Sequence, residues 1–523
     1  MKIQPILAVV VGLLLGAGIC GCASSGGQGP ADAEQVKDKA GKGFFRVSAT
    51  KALERNPSAV PAKSGSFIVV FEAEALDAQG DVDLYAQRIS GTGDLMWDAA
   101  VPVATAPARE EAPQLIPDGH GGAFVAFSVT YTEGDHAGDM DIAAQRITAA
   151  GDLLWEEGIR SVIVSGSKAI EKHPVVISDK QGGIVVAFER KYLEGENRGD
   201  VDVFAQRLSP EGKKLWRKGK ASIPVSNTRY LERAPAMVGD GAGGFLVVNE
   251  LEARTGKRAG DVELVAQRLN DSGERTWQDG QEPVIVSQAP LAERNPAAVS
   301  DGAGGMIVSF ELAGLKGENR GRVDVGAQRI DANGGICWNA ADGYVSVASD
   351  RHLQERAPVV VSGRDRGAVI IWQAAYPAGT RKGDMDLYAQ YFSGRGEALW
   401  HMGKRAAALA ISEAVEHDPA VLRLPDGSVM VACEKQPAAS ESAHPGRDIR
   451  LKRICPAGRV TWHKDLAVDG SAKNLTDLKN PALAVNSSGR VAVFFEAAAG
   501  TAKPAAGPDI YARVFEDADM GLW

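Results

Sequence analysis

The chain has 523 residues, 24% of them charged, with 60 glycines and a formal net charge of -9. This composition is globular rather than collagen-like or disordered, and the length suits several domains or one large repeat array. The negative balance argues against nucleic acid, which needs a basic surface to displace counterions, and against a polybasic membrane contact.

The first element is an apolar run from Ile6 to Ile19 behind Lys2. It is too short for a spanning helix and has the layout of a signal peptide. It ends in Ile19-Cys20-Gly21-Cys22, which resembles a bacterial lipobox. The resemblance implies lipidation at Cys22, which small Gly21 precedes, rather than at Cys20, which Ile19 precedes. Residues 1–21 are therefore expected to be a lipoprotein signal peptide, and 22–43, rich in Gly, Ser, Ala and Lys, a lipidated flexible tether. Residues 44–523 form the folded domain. Ala23 rather than Asp follows the cysteine; similarity to lipoproteins of two-membrane bacteria then implies a lipid anchor in the outer membrane of the cell envelope. Cys337, Cys433 and Cys455 are odd in number and lack CxxC spacing, so they predict neither a disulfide framework nor a zinc site. They read as small buried hydrophobes.

The domain repeats one unit eight times. Ala-Gln-Arg begins at Ala86, Ala144, Ala205, Ala266 and Ala327, and degenerate copies begin at Ala389, Leu451 and Ala512. Ten residues after each Gln position stands a tryptophan: Trp97, Trp155, Trp216, Trp277, Trp338, Trp400, Trp462 and Trp523. A second anchor is a proline: Pro57, Pro113, Pro174, Pro235, Pro296, Pro358, Pro419 and Pro481. Fifteen residues later an apolar run ends at Glu72, Ser128, Glu189, Glu250, Glu311, Gln373, Glu434 and Glu496. Both spacings hold in all eight copies, and length variation falls in the connections, where loops tolerate it.

Each unit reads as four strands. In the fifth copy the first is 296–300, a glycine turn follows over 301–305, and the second is 306–311. The third is 323–330, and the fourth carries Trp338 and continues through 345–347. Branched and aromatic residues between Gly, Asn and Asp turns are the strand signal, and no segment keeps a helical period. Four antiparallel strands repeated radially make propeller blades; a solenoid would need polar caps at its ends. Here the last copy lacks the Val-x-Val-Ser tail of the other fourth strands, and Phe45-Arg46-Val47-Ser48 supplies it. The predicted fold is all-β: an eight-bladed β-propeller of four-stranded antiparallel blades, its ring closed by the N-terminal strand so that no sheet edge is left open. The eight tryptophans are expected to pack against neighbouring blades. Each would remove roughly 150–250 Å² from water, an upper bound of about 4–6 kcal/mol.

This ring resembles the tryptophan-docking repeat of quinoprotein-type eight-bladed propellers, in which a glycine also lies four residues before the tryptophan. Gly93–Trp97, Gly151–Trp155, Gly212–Trp216 and Gly273–Trp277 match, while Ala-Gln-Arg stands where that pattern has Ala-x-Asp. The vicinal cysteine pair of its alcohol-oxidising members is absent. No cofactor is expected.

The longer second–third loops and the blade connections share one face, which is where function is expected. Candidate binding residues there are Glu72, Glu189, Glu250, Glu311, Glu434 and Glu496. The pairs Asp81/Asp83, Asp139/Asp141, Asp200/Asp202 and Asp384/Asp386 have a spacing open to Ca²⁺, but recurrence in most copies suits turn caps and arginine partners better. No nucleophile signature is present and the histidines form no ligand pair. No catalytic residue and no metal site are predicted, which points away from an enzyme. The main expectation is a non-enzymatic envelope scaffold engaging a protein partner through its loop-rich face. In fold and location it is similar to the propeller lipoprotein of the outer-membrane β-barrel assembly machinery. The alternative is a carbohydrate-binding or carbohydrate-cleaving propeller.

Overall fold

The computed structural model describes residues 35–36, 43–48, 50, 52–75, 80–226, 228, 230–254, 259–315, 317–339, 343–437, 446–466, 475–499 and 507–520. The expected signal peptide, Cys22 and Trp523 lie outside them. Among the described residues, regular structure consists of strands and short 3₁₀ turns, without an α-helix.

Strands pair antiparallel in groups of four, in chain order. The fifth repeat is typical: Ala292–Ser300, Met306–Ala313, Val323–Ile330 and Val345–Ala348. Its first strand starts four residues earlier than the sequence suggested. The reason is a β-bulge: the register slips between Arg294 and Ala297, and Asn295 takes φ 51°. Pro296 sits inside that bulge, where its missing N–H removes no ladder bond. The residue before each repeat proline does the same: Asn56, Ala112, His173, Ala234, Asn295, Ala357, Asp418 and Asn480 all have φ between 47° and 56°.

The eighth repeat has three strands of its own, Leu475–Val485, Val491–Ala499 and Asp509–Phe515. Its fourth is Phe44–Arg46, with Phe45 opposite Ala512 and Arg46 opposite Tyr511. Val47 N–H continues the pairing to the Ile510 carbonyl at 2.8 Å. Gln35–Val36, placed in the tether by the sequence, pairs in turn with Phe44 and Phe45. First strands of successive repeats lie side by side, and that of the eighth lies beside Leu53–Pro61 of the first.

The core is divided among the seams. Among the described residues eight apolar clusters each draw on two neighbouring repeats; one of them joins Phe45, Val47 and Phe494 of the eighth to Phe67 and Phe71 of the first. The tryptophans serve these seams. Trp97, Trp155, Trp216, Trp277, Trp338 and Trp400 are buried, and each indole Nε1 donates to a carbonyl in the third–fourth turn of the next repeat at 2.9–3.2 Å. The glycine of that turn has positive φ and lies against the same indole. A β-carbon on Gly212 would stand 2.7 Å from the Trp155 ring. At Gly93 of the first repeat the ring in that position is Phe45.

Gln and Arg of the tripeptide divide the labour, and of the two only the arginine bonds to the next repeat. Arg146, Arg207, Arg268 and Arg329 pair with Asp118, Asp179, Asp240 and Asp301 of their own repeats and donate to the carbonyl that receives the tryptophan. The glutamine stays within its repeat: Gln145 Oε1 accepts the Trp155 N–H at 3.0 Å, and Gln206, Gln267, Gln328 and Gln390 do likewise. That bond explains the ten-residue Gln-to-Trp spacing. In the seventh repeat Lys452 replaces the glutamine; Trp462 is drawn into the strand Val460–Asp465 and only half-buried.

Candidate functional site

The bulges bring one end of the first strands around two cavities. One of about 970 Å³ is bordered by Asn56, Ala112, Ala357, Asp418 and Asn480 with the prolines that follow Asn56, Ala112, Asp418 and Asn480. The other, of about 600 Å³, is bordered by His173, Ala234 and Asn295. All eight bulge residues therefore face one or the other. The position just before the bulge carries Arg55, Lys172, Arg233, Arg294, Arg356, His417 and Lys479 in seven repeats and Glu111 in the second.

All six candidate glutamates lie at this level, and they are joined to the bulges. Glu72 Oε1 accepts the Ala112 N–H of the next repeat at 2.8 Å. Glu189 accepts Ala234, Glu250 accepts Asn295, Glu311 accepts Ala357, and Glu434 accepts Asn480, at 2.7–2.8 Å. Glu496 of the eighth repeat accepts Asn56 of the first, also at 2.8 Å. A left-handed residue turns its N–H out of the ladder, and a buried N–H needs an acceptor. The glutamates meet that need; all but the half-buried Glu311 are buried. Their second oxygens are directed to the cations: Arg55 to Glu72 at 2.9 Å, Lys479 to Glu496 at 3.3 Å, Arg294 to Glu250 at 3.8 Å. The rim is thus a sequence of paired donors and acceptors, not a field of one sign. In the second and sixth repeats Ser128 and Gln373 replace the glutamate, so the rim is not uniform.

A second set of carboxylates is buried deeper, and its role was not legible from the sequence. Glu54, Glu110, Glu171, Glu232, Glu293, Glu355 and Glu416 begin the seams and are all buried. Glu54, Glu171 and Glu293 bond Ser48, Ser165 and Ser287, the serines ending the preceding repeat's fourth strand. Glu232 and Glu293 also accept N–H groups of the preceding third strand, from Val203 and Leu264. Glu54 accepts Ile510 of the eighth repeat. The constant six-residue interval from Ser48 to Glu54, Ser165 to Glu171 and Ser287 to Glu293 was the available signal.

The second aspartates of the Asp-x-Asp pairs, Asp83, Asp141, Asp202 and Asp386, lie close to Glu110, Glu171, Glu232 and Glu416 of the following repeats. Burial, with the neighbouring carboxylate adding to it, pushes Asp83, Asp141 and Asp202 up to about 6. Burial pushes Glu293 and Glu355 up to about 7 and Glu110 up to about 8. A carboxyl raised in the folded state contributes stability that is complete below its unfolded value, near 4, and is lost as pH rises through its folded value. A few carboxyls run the other way. At Glu189 burial is outweighed by the His173 hydrogen bond and the Ala234 N–H, and at Asp477 the Arg447 hydrogen bond leads. These contribute above about pH 4 and are lost below it. Thermal unfolding is therefore expected at a higher temperature at pH 5.5 than at pH 8. Calorimetry across that interval checks it; a Tm rising toward pH 8 contradicts it.

Among the described residues no three His, Cys, Asp or Glu side chains converge as a metal cluster, and Cys337, Cys433 and Cys455 are free thiols. No protein-family model matches the chain, and no curated protein matches it. Similar solved structures include an ulvan lyase of polysaccharide lyase family PL25, at 10% identity and TM-score 0.44 over 91% of this chain and 95% of that one. A protein of unknown function from Dyadobacter fermentans aligns at 11% and 0.38 over 92% and 98%. The leech intramolecular trans-sialidase aligns at 12% and 0.37 over 82% and 70%. At this distance nothing of their activity is carried to this chain.

Proposed function

We propose that the eight repeats close into an eight-bladed propeller whose central mouth binds carbohydrate. Closure is supported by the pairing of Phe45 with Ala512 and by the Glu496–Asn56 bond, which repeats between the eighth and first units what Glu72 makes between the first and second. The observation that carries the ligand is the rim of alternating cations and carboxylates around the 970 Å³ cavity. A sugar hydroxyl both donates and accepts a hydrogen bond. Arg55–Glu72 at this cavity, and Arg294–Glu250 at the neighbouring cavity of about 600 Å³, offer both roles at fixed separations. Among the described residues no aromatic or large aliphatic side chain borders that cavity except Val359, which disfavours an apolar ligand.

Binding suits the site better than cleavage. Glycoside hydrolysis needs two carboxyl groups facing the substrate, one of them raised. Glu110, Glu293 and Glu355 are raised, but they are engaged inside the seams and border neither mouth cavity. The lipobox around Cys22 supports a lipid-anchored position in the envelope. A protein-binding scaffold, the other reading, would dock through exposed apolar side chains. Ile159 and Met402, 78% and 82% exposed, lie beside tryptophan turns rather than at the mouth.

A glycan array of neutral and acidic sugars probed with the full chain tests the reading. At least one glycan is expected to be retained. Arg55→Ala combined with Arg294→Ala is expected to weaken it about 10- to 100-fold, the range for losing charge-assisted hydrogen bonds. No retained glycan, or unchanged binding by the variant, rules the mouth out.

A further inference from the structure

The sixth–seventh seam breaks the pattern of its neighbours. In repeats two to five the tripeptide arginine and the buried aspartate five residues after the proline form an ion pair on the tight-turn face, just past the end of the first strand. In the sixth repeat both members are replaced together: Tyr391 stands for the arginine and Gly363 for the aspartate. The Tyr391 ring lies directly on the turn. A β-carbon on Gly363 would stand 2.4 Å from Cε2, so the glycine is required by the tyrosine. Its hydroxyl donates to the Arg364 carbonyl at 2.7 Å and accepts the Arg364 N–H at 3.0 Å.

The exchange opens a cavity of about 280 Å³. Tyr391, Trp400, Leu399, Val369 and Val429 supply apolar walls, and Arg364 and Arg423 stand at its border. Arg364 Nη2 donates to the Asp426 carbonyl at 3.1 Å and Arg423 Nη1 to the Gly363 carbonyl at 3.0 Å. Neither guanidinium belongs to a described ion pair, so donors remain on both. Asp365 is the acid at the same border.

We propose that this seam is a second binding site, separate from the mouth, that takes a small aromatic carboxylate. The volume lies at the lower end of ligand pockets, enough for about one ring and its substituent. Tyr391 and Trp400, whose ring centroids are 6.3 Å apart, offer aromatic surface. Two guanidiniums not committed to carboxylates are the groups that recognise a planar anion by paired hydrogen bonds.

Ligand-observed NMR on the full chain with benzoate, phenylacetate and uncharged benzamide tests the site. Saturation transfer is expected to both carboxylates and much less to benzamide. Arg364→Gln with Arg423→Gln should weaken carboxylate binding about tenfold or more. Tyr391→Arg with Gly363→Asp rebuilds the pair of the other repeats and fills the space; it should abolish binding while Tm is kept or raised. Should that variant fail to fold, the glutamine pair decides. No saturation transfer to either carboxylate overturns the proposal, as does undiminished binding in the refilled or the glutamine variant.

Discussion

Trp155→Ala is expected to destabilise the protein by about 3–5 kcal/mol, the range for truncating a large buried aromatic. Its side chain is fully buried, its ring lies 5.5 Å from Phe124, and it rests on Gly212 of the following repeat. Truncation leaves a void, because the glycine turn has no side chain to fill it, and removes the 2.9 Å bond to the Pro210 carbonyl. Trp462→Ala is the control. This tryptophan is half-buried, and Lys452 stands where the capping glutamine would be. Its loss should cost clearly less. Denaturant unfolding of the two variants measures the difference; equal losses would mean that the docking of Trp155 onto the next repeat adds nothing.

Arg329→Met is expected to cost a similar 3–5 kcal/mol for a different reason. The Asp301 side chain is 1% exposed, and its Oδ2 takes Arg329 at 2.8 Å. Its Oδ1 closes the turn by accepting the N–H groups of Ala303 and Gly305 at 2.8 and 2.9 Å. Removing the guanidinium strands a carboxylate away from water. The neutral partner should rescue it: Asp301→Asn retains an oxygen for the turn but carries no charge. The Arg329→Met/Asp301→Asn double variant is therefore expected to recover most of the loss. A double-mutant cycle reads the coupling. If the double variant is no better than the single, the cost lies in lost packing of the arginine rather than in the stranded charge.

The parts of the fold legible in the sequence are those set by local geometry that recurs. Four strands per unit follow from branched runs between glycine turns. The Gln-to-Trp interval is constant because the Gln145 carbonyl oxygen holds the Trp155 N–H within one repeat. The Phe45–Ser48 tail could be matched to the eighth repeat because a fourth strand has the same chemistry wherever it enters the chain, and Phe45 does pair with Ala512.

The roles of the glutamates were harder to read. Glu72, Glu189, Glu250, Glu311, Glu434 and Glu496 end apolar runs, which in a sequence looks like the start of an exposed loop. Their partners are bulge residues 40 to 46 positions onward, or, for Glu496, near the other end of the chain. The bulge itself leaves little trace, since Asn, Ala, His and Asp all occupy it. The same limit hid the sixth–seventh cavity. Tyr391 and Gly363 read separately as a degenerate tripeptide and an ordinary turn; together they remove one ion pair.

By itself, then, the sequence determined the unit, its number of copies, its four strands and the tryptophan that ends the third–fourth turn. These depend on side chains acting within about sixty residues, so each copy states them again. Which atoms meet across a seam, and which carboxylates are buried there or border the cavities at the bulges, was decided by the tertiary structure. Those contacts join different copies, and their geometry exists only once neighbouring sheets have packed.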